Sequence, residues 1–248
     1  MTHDDAISPA KNLCVIPVRG GSKGVPRKNA AHLINGLSLL EWTIRQAQQS
    51  VLSPTTIVST EDAELSRIAA ACGVVVVQRP VALAQDDTTT ARVVAHLLQT
   101  IDPNSDRFDA ITILQVTSPL RQATDVNAAV TMLQDGAYDS VVSVHKHTGV
   151  HPAKLYLMTA DGAVSAAADY ETHRRQDLPP VYRRNGAIFM VKRRYFNQTG
   201  RLWGGKIGLV HMPQDRSIDI DTIADLQAAR RFLRNQQPDK AAVDARVL

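Results

Sequence analysis

Aromatic side chains are scarce in this sequence. Phe, Trp and Tyr together make up 4% of it, so the core must be aliphatic, and a protein that stacks nucleobases on rows of rings would carry more of them. Cysteine is nearly absent. The two present, Cys14 and Cys72, lie in or beside apolar segments without metal-ligand spacing, and read as small buried hydrophobes. No run of about 18 apolar residues occurs, so no membrane span is expected. There is no block of like charge either. The formal net charge is +4, too mild for a nucleic-acid tail. Residues 1–11 are polar and lack a basic start followed by an apolar stretch, so we expect no secretory leader and a cytoplasmic location. His145, His147, His151 and His173 form neither a metal-ligand nor a triad pattern.

What is present is 248 residues with 44% apolar content, enough for one large ordered α/β domain. Basic residues gather at 19–28 and 174–194, which favours small anionic ligands over a polyanion. The first two thirds alternate short apolar runs with helical spacing. Strands are expected at 13–18, 55–59, 74–77, 110–115 and 139–144, and helices at 37–49, 63–72, 89–99 and 123–133. This rhythm predicts a mostly parallel sheet with helices on both faces, whose ligands bind beyond the carboxyl ends of the strands. The loops after Val18 and Gln115 are therefore the expected site. The segment 147–182 breaks the rhythm and reads as an insertion with short strands, a lid or a dimerisation arm. Regular structure is expected to return at 186–191 and 207–211, and a last helix at 222–234.

Five motifs carry chemistry. Residues 19–29 read Arg-Gly-Gly-Ser-Lys-Gly-Val-Pro-Arg-Lys-Asn. Gly20, Gly21 and Gly24 allow a tight turn with backbone N–H groups near a ligand. Arg19, Lys23, Arg27 and Lys28 add charge suited to a triphosphate, and Ser22 adds a hydroxyl. The loop is neither a Walker loop nor a dinucleotide fingerprint. Residues 217–221 read Ser-Ile-Asp-Ile-Asp. In an extended segment Asp219 and Asp221 point the same way while the isoleucines anchor the other side. Paired carboxylates beside phosphates suit Mg²⁺; the alternative is that one Asp caps the following helix.

Residues 114–121 read Leu-Gln-Val-Thr-Ser-Pro-Leu-Arg, so Gln115 either serves a sugar hydroxyl or a metal-bound water, or the segment merely builds a turn. Arg79-Pro80 precedes 83–88, where Asp87 or Thr88 is a candidate N-cap. Arg175 could clamp a carboxylate, and Asn185, in Asn-Gly-Ala-Ile-Phe, could hydrogen-bond an amide or hydroxyl.

Together these motifs, in this order and spacing, resemble the acylneuraminate cytidylyltransferases, the CMP-sialic acid synthetases, over residues 13–233. The resemblance implies a three-layer, mostly parallel α/β fold of the nucleotide-diphospho-sugar transferase type. It implies a single domain across 1–248 and a homodimer built by the insertion at 147–182. CTP would be held by Arg19, Gly20, Gly21, Ser22, Lys23, Lys28 and Asn29, with Arg79, Asp87 and Thr88 near the cytosine and ribose. Gln115, Lys154, Arg175, Asn185 and Phe189 would bind the sugar, with Arg175 on its carboxylate. Asp219 and Asp221 would hold Mg²⁺, with Mn²⁺ as the alternate, and together with Arg19 and Lys23 would be the catalytic set. The implied reaction is attack of the anomeric hydroxyl of a sialic-acid-type nonulosonic acid on the α-phosphorus of CTP, with pyrophosphate leaving. Legionaminic and pseudaminic acids are the alternative substrates, and a non-catalytic CMP-sugar binder is the alternative of another class. Two positions depart from the family pattern: Val116 stands where Pro is usual, and Phe189 where Tyr is usual, which removes a hydroxyl from the sugar pocket.

Overall fold

The computed structural model describes residues 11–21, 24–52 and 55–236. Strand β1 (Asn12–Pro17) is apolar on both faces, as a central parallel strand requires. The loop after it leads to a small hairpin, β2 (His32–Ile34) and β3 (Leu37–Ser38), and to helix α1 (Leu39–Gln49). Ser38 and Glu41 form a reciprocal capping box that starts α1. There follow β4 (Thr55–Thr60), α2 (Ala63–Ala71), β5 (Val75–Gln78), α3 (Thr90–Ile101), β6 (Ala110–Ile113), α4 (Ala123–Gln134) and β7 (Ser140–Lys146).

The segment 147–182 holds a two-stranded hairpin, β8 (Tyr156–Thr159) and β9 (Gly162–Ser165), among single helical turns. The chain then returns to the sheet with β10 (Tyr182–Lys192), α5 (Arg193–Thr199), β11 (Ile207–His211) and α6 (Ile223–Gln236).

The main sheet has seven strands in the order β11-β7-β10-β6-β1-β4-β5. β1 pairs parallel with β4 and β6, β4 with β5, and β7 with β11; only β10 runs antiparallel to its neighbours. The expected three-layer architecture is present. Cys14, Ile16, Leu40 and Ile44 lie in the core on one face, and Leu13, Val15, Leu97 and Ile113 in the core on the other. Burial of each such aliphatic side chain contributes about 1.5–3 kcal/mol.

Four expectations change. The run expected to begin a helix at 37 starts as β3, because Ser38 caps the helix behind it. Helix α5 was not anticipated: it is a seven-residue turn between two strands, ended by Gly200 in the left-handed region, too short to show a periodic face. Strand β10 begins at Tyr182 rather than Gly186. Cys14 is fully buried, its thiol pKa pushed up by that burial to about 12, but Cys72 is only half-buried.

Candidate functional site

The carboxyl ends of β1 and β6, adjacent parallel strands, open into a cavity of about 370 Å³. Its lining includes Arg19, Gly21, Gly24, Lys28, Asn29, Arg79, Gln115, Thr117 and Asp221. The basic loop and the second aspartate, which lies 193 residues beyond Lys28 in the chain, thus share one cleft. Several contacts force this. Lys28 Nζ donates to the Ile220 carbonyl at 2.6 Å and lies 3.4 Å from an Asp221 carboxylate oxygen. At Gly24 a β-carbon would stand 2.0 Å from the Asp221 carbonyl oxygen, so only glycine lets the two segments meet. The Ile220 N–H donates to the Thr117 carbonyl at 2.8 Å, tying the same segment to the loop after β6.

The Asp-Ile-Asp segment lies outside helix and strand, with Ile220 fully buried and both aspartates exposed. Neither aspartate caps α6. Thr222 does: the Asp225 N–H donates to the Thr222 hydroxyl, and the Asp225 carboxylate accepts the Thr222 N–H in return. These bonds hold the Asp225 carboxyl below its usual range, the Thr222 hydroxyl contributing most. Asp219 and Asp221 are therefore spared for other work. Among the described residues no group of three or more His, Cys, Asp or Glu gathers as a metal cage. Two exposed carboxylates of hard oxygen nevertheless fit Mg²⁺, which is commonly bound by one or two carboxylates and completes its shell with phosphate oxygens and water.

The cationic loop divides its charges. Arg19 reaches across the cavity to Asp86 at 2.7 Å. Asn29 donates to the Arg19 carbonyl and fixes the loop's entry. Arg27 is not offered to a ligand. Its guanidinium binds Asp62 and Glu64 at the start of α2, and holds the Asp62 carboxyl below its usual range. Arg27 thus latches the loop from outside. Ser22 and Lys23 lie outside the described residues.

Arg79, only 5% exposed, lines the cavity but spends its donors on the Glu61 carboxylate, at 2.8 and 3.0 Å, and on the Val18 carbonyl. Glu61 in turn accepts the Gly20 N–H at 2.8 Å. Glu61 was not singled out from sequence. Its signal was its place directly beyond β4, another parallel strand whose carboxyl end faces the same edge. Thr88 lines the cavity, whereas the exposed Asp87 is not among its walls. Neither caps α3, because Thr89 does so by accepting the Arg92 N–H.

A second cavity, of about 690 Å³, adjoins the first through Asp221, which lines both. Asp219, Asn185, Gly186, Phe189, Arg184, His145 and Trp203 belong to its wall. A bulge in β10 creates it. Arg184 faces Val144 and Phe189 faces Val142, so residues 185–188 loop out of the ladder. Gly186 takes a positive φ of 77°, and a β-carbon there would meet Gln115 Oε1 at 3.1 Å and Asp219 at 3.8 Å. The Asn185 amide, buried, accepts from Ser143 and donates to Ser217 at 2.9 Å. It holds the acidic segment rather than standing free. The Arg184 guanidinium stacks 4.3 Å over Trp203, whose ring is 5.3 Å from that of Phe189. The His145 imidazole has its pKa lowered, first by burial and then by Arg183 and His147.

Lys154 and Arg175 are not brought to either cavity. Both sit on the excursion at 147–182, where Lys154 donates to the Glu171 carbonyl and Arg175 is exposed. They leave the site because the chain there leaves the sheet.

A model of the cytidylyltransferase family matches residues 13–238. The chain is a member of that family. An N-acylneuraminate cytidylyltransferase of Streptococcus agalactiae serotype V is 31% identical over 218 residues, covering 87% of this chain and 51% of the relative. That of Escherichia coli O18:K1:H7 is 31% identical over 222 residues, with 88% and 51% covered. The chain therefore spans about half the length of these relatives. The post-translational flagellin modification protein B of Campylobacter coli is 28% identical over 226 residues, with 90% and 95% covered. Among solved structures, CMP:2-keto-3-deoxy-manno-octonic acid synthetase complexed with CTP superposes with a TM-score of 0.71 at 16% identity, covering 92% of this chain and 100% of that one. At that identity the likeness concerns the fold. No helix among the described residues of this cytidylyltransferase is long and apolar enough to cross a membrane. Its site offers the cations Arg19 and Lys28 on one side and the carboxylates of Asp219 and Asp221 on the other. Such a set can position a nucleoside triphosphate and neutralise charge that moves onto a departing pyrophosphate.

Proposed function

We propose that this chain transfers CMP from CTP to the anomeric hydroxyl of a sialic-acid-type nonulosonic acid, releasing pyrophosphate. The observation that carries this reading is the convergence of Arg19 and Lys28 with Asp221 on one cleft, with a second cavity, walled by Asp219 and Asp221, opening beside it. CTP occupies the first cavity. Arg19, freed from Asp86, and the loop backbone at Gly21 take the phosphates, with Ser22, Lys23 and Lys28, while Gly20 shapes the turn through its N–H bond to Glu61. The base and ribose lie toward Arg79 and Thr88. Asp219 and Asp221 hold Mg²⁺, which when bound neutralises phosphate charge and lowers the pKa of a hydroxyl it meets.

The sugar occupies the second cavity, against Gly186 and Phe189, with Gln115 beside Gly186 from the wall of the first. Asn185 serves it indirectly, by fixing Ser217 and so the acidic segment. Catalysis is positioning and charge neutralisation, without a covalent nucleophile. A homodimer completes the protein. The β8–β9 hairpin exposes Tyr156, Leu157, Met158 and Val164, and a lone two-stranded hairpin needs a surface to pack on. Lys154 and Arg175 travel with that arm.

A second reading, transfer to legionaminic or pseudaminic acid, is favoured by the near full-length match to a flagellin modification protein and by Phe189, which offers no hydroxyl. Pyrophosphate release with CTP, Mg²⁺ and each acid in turn separates the readings. UTP and GTP should fail in place of CTP. CTP binding without pyrophosphate release for any acid would leave the chain a binding module.

A further inference from the structure

Arg121 is a buried cation that the site described above does not use. It is 1% exposed, among the largest fully buried side chains of the protein. Among the described residues no carboxylate lies within ion-pair distance of it. Asp125, the acid nearest in its electrostatics, gives its oxygens to Arg216 and to the Gln122 N–H instead. Burial pushes the guanidinium pKa down to about 10, which leaves it charged at neutral pH.

Its partners are neutral oxygens. One terminal nitrogen donates to the carbonyls of Gln115, Ser118 and Ala187 at 2.8, 2.9 and 3.0 Å. The other donates to Gln115 again and to the Thr43 hydroxyl of α1. Gln115 and Ser118 belong to the loop after β6, a wall of the first cavity. Ala187 belongs to the β10 bulge, next to Gly186 in the second. A buried charge without a counter-ion is an expensive way to gain stability, whereas a rigid planar fork reaching several acceptors at once sets geometry well.

We propose that Arg121 is a positioning residue that locks the loop after β6 to the β10 bulge and so fixes the two cavities relative to each other for in-line transfer. This rests on the reading of the two cavities as nucleotide and sugar sites. Arg121→Lys keeps the charge but loses the fork. Its kcat should fall about 100-fold, the scale of a 1 Å misplacement, while KM for CTP stays within about threefold. Methylguanidine should restore turnover to Arg121→Ala. Amide exchange at 115–118 and 185–188 should quicken together in Arg121→Lys, with β1 and β4 unchanged.

An unaltered kcat in Arg121→Lys with only a lower melting temperature would overturn the proposal, as would exchange that quickens evenly across the sheet. Should Arg121→Ala not fold, Arg121→Lys alone decides. The exchange readout needs no substrate. A wild-type protein inactive on every nonulosonic acid would therefore sink the functional reading and still leave Arg121 tested.

Discussion

The two cavities are built by opposite devices. The first lies where parallel strands end, and its walls come mainly from the loops that follow β1, β5 and β6. The second lies where one antiparallel strand, β10, is interrupted by a bulge. Strand-end loops are free to carry any residue a ligand wants, so the first cavity gathers Arg19, Lys28 and Arg79 in its walls. A bulge is constrained on both sides by the ladder, so its residues are largely spent on holding it: Asn185 on Ser143 and Ser217, Ala187 on Arg121. The first cavity is thus organised to grip, and the second to orient. Asp221, shared by both, stands where the two functions meet.

The sharpest break in this comparison is at that shared residue. Asp221→Ala should abolish pyrophosphate release, by about 1000-fold or more, with circular dichroism unchanged because Thr222 and not Asp221 caps α6. Activity within twofold of wild type at saturating Mg²⁺ would refute the metal assignment. Next, Arg19→Ala should lower kcat/KM for CTP by about 2–4 kcal/mol and leave KM for the sugar nearly constant; a change in the sugar term alone would reverse the roles of the cavities.

Glu61→Gln should destabilise the fold by about 3 kcal/mol, since it strands the buried Arg79 charge, and denaturant melts would show it. Gly186→Ala should cost about 1–3 kcal/mol through its positive φ and raise KM for the sugar more than for CTP, measured by paired titrations. The smallest effect belongs to the latch. Asp62 has a depressed folded pKa, so its stabilisation is present above the ordinary value of 3.8 and is lost as pH falls through the folded value. The melting-temperature gap between wild type and Asp62→Asn should be open at neutral pH and close below that value.

Much of the first cavity was legible in the sequence, because its signals are local. An apolar run followed by glycines and cations announces a strand-end loop for anions, and Asp-Ile-Asp announces a two-faced extended segment. The sequence did not disclose that Arg27 turns outward to Asp62 and Glu64, nor that Arg79 is tied to Glu61, because a charged residue carries no mark of its partner. The capping of α3 and α6 was also misplaced by a residue. Asp and Thr side by side offer several equivalent caps, and packing picks one.

The alternation of strand and helix, the both-sided burial of β1 and the glycine-and-cation make-up of the loop behind it were thus determined by residue pattern alone, since each depends on neighbours one to four positions away. The direction of β10, its bulge, the burial of Arg121 beneath two loops and the meeting of Gly24 with Asp221 were decided only by the tertiary structure. Each depends on which strands become neighbours and on how closely two backbones approach, distances that no local pattern encodes.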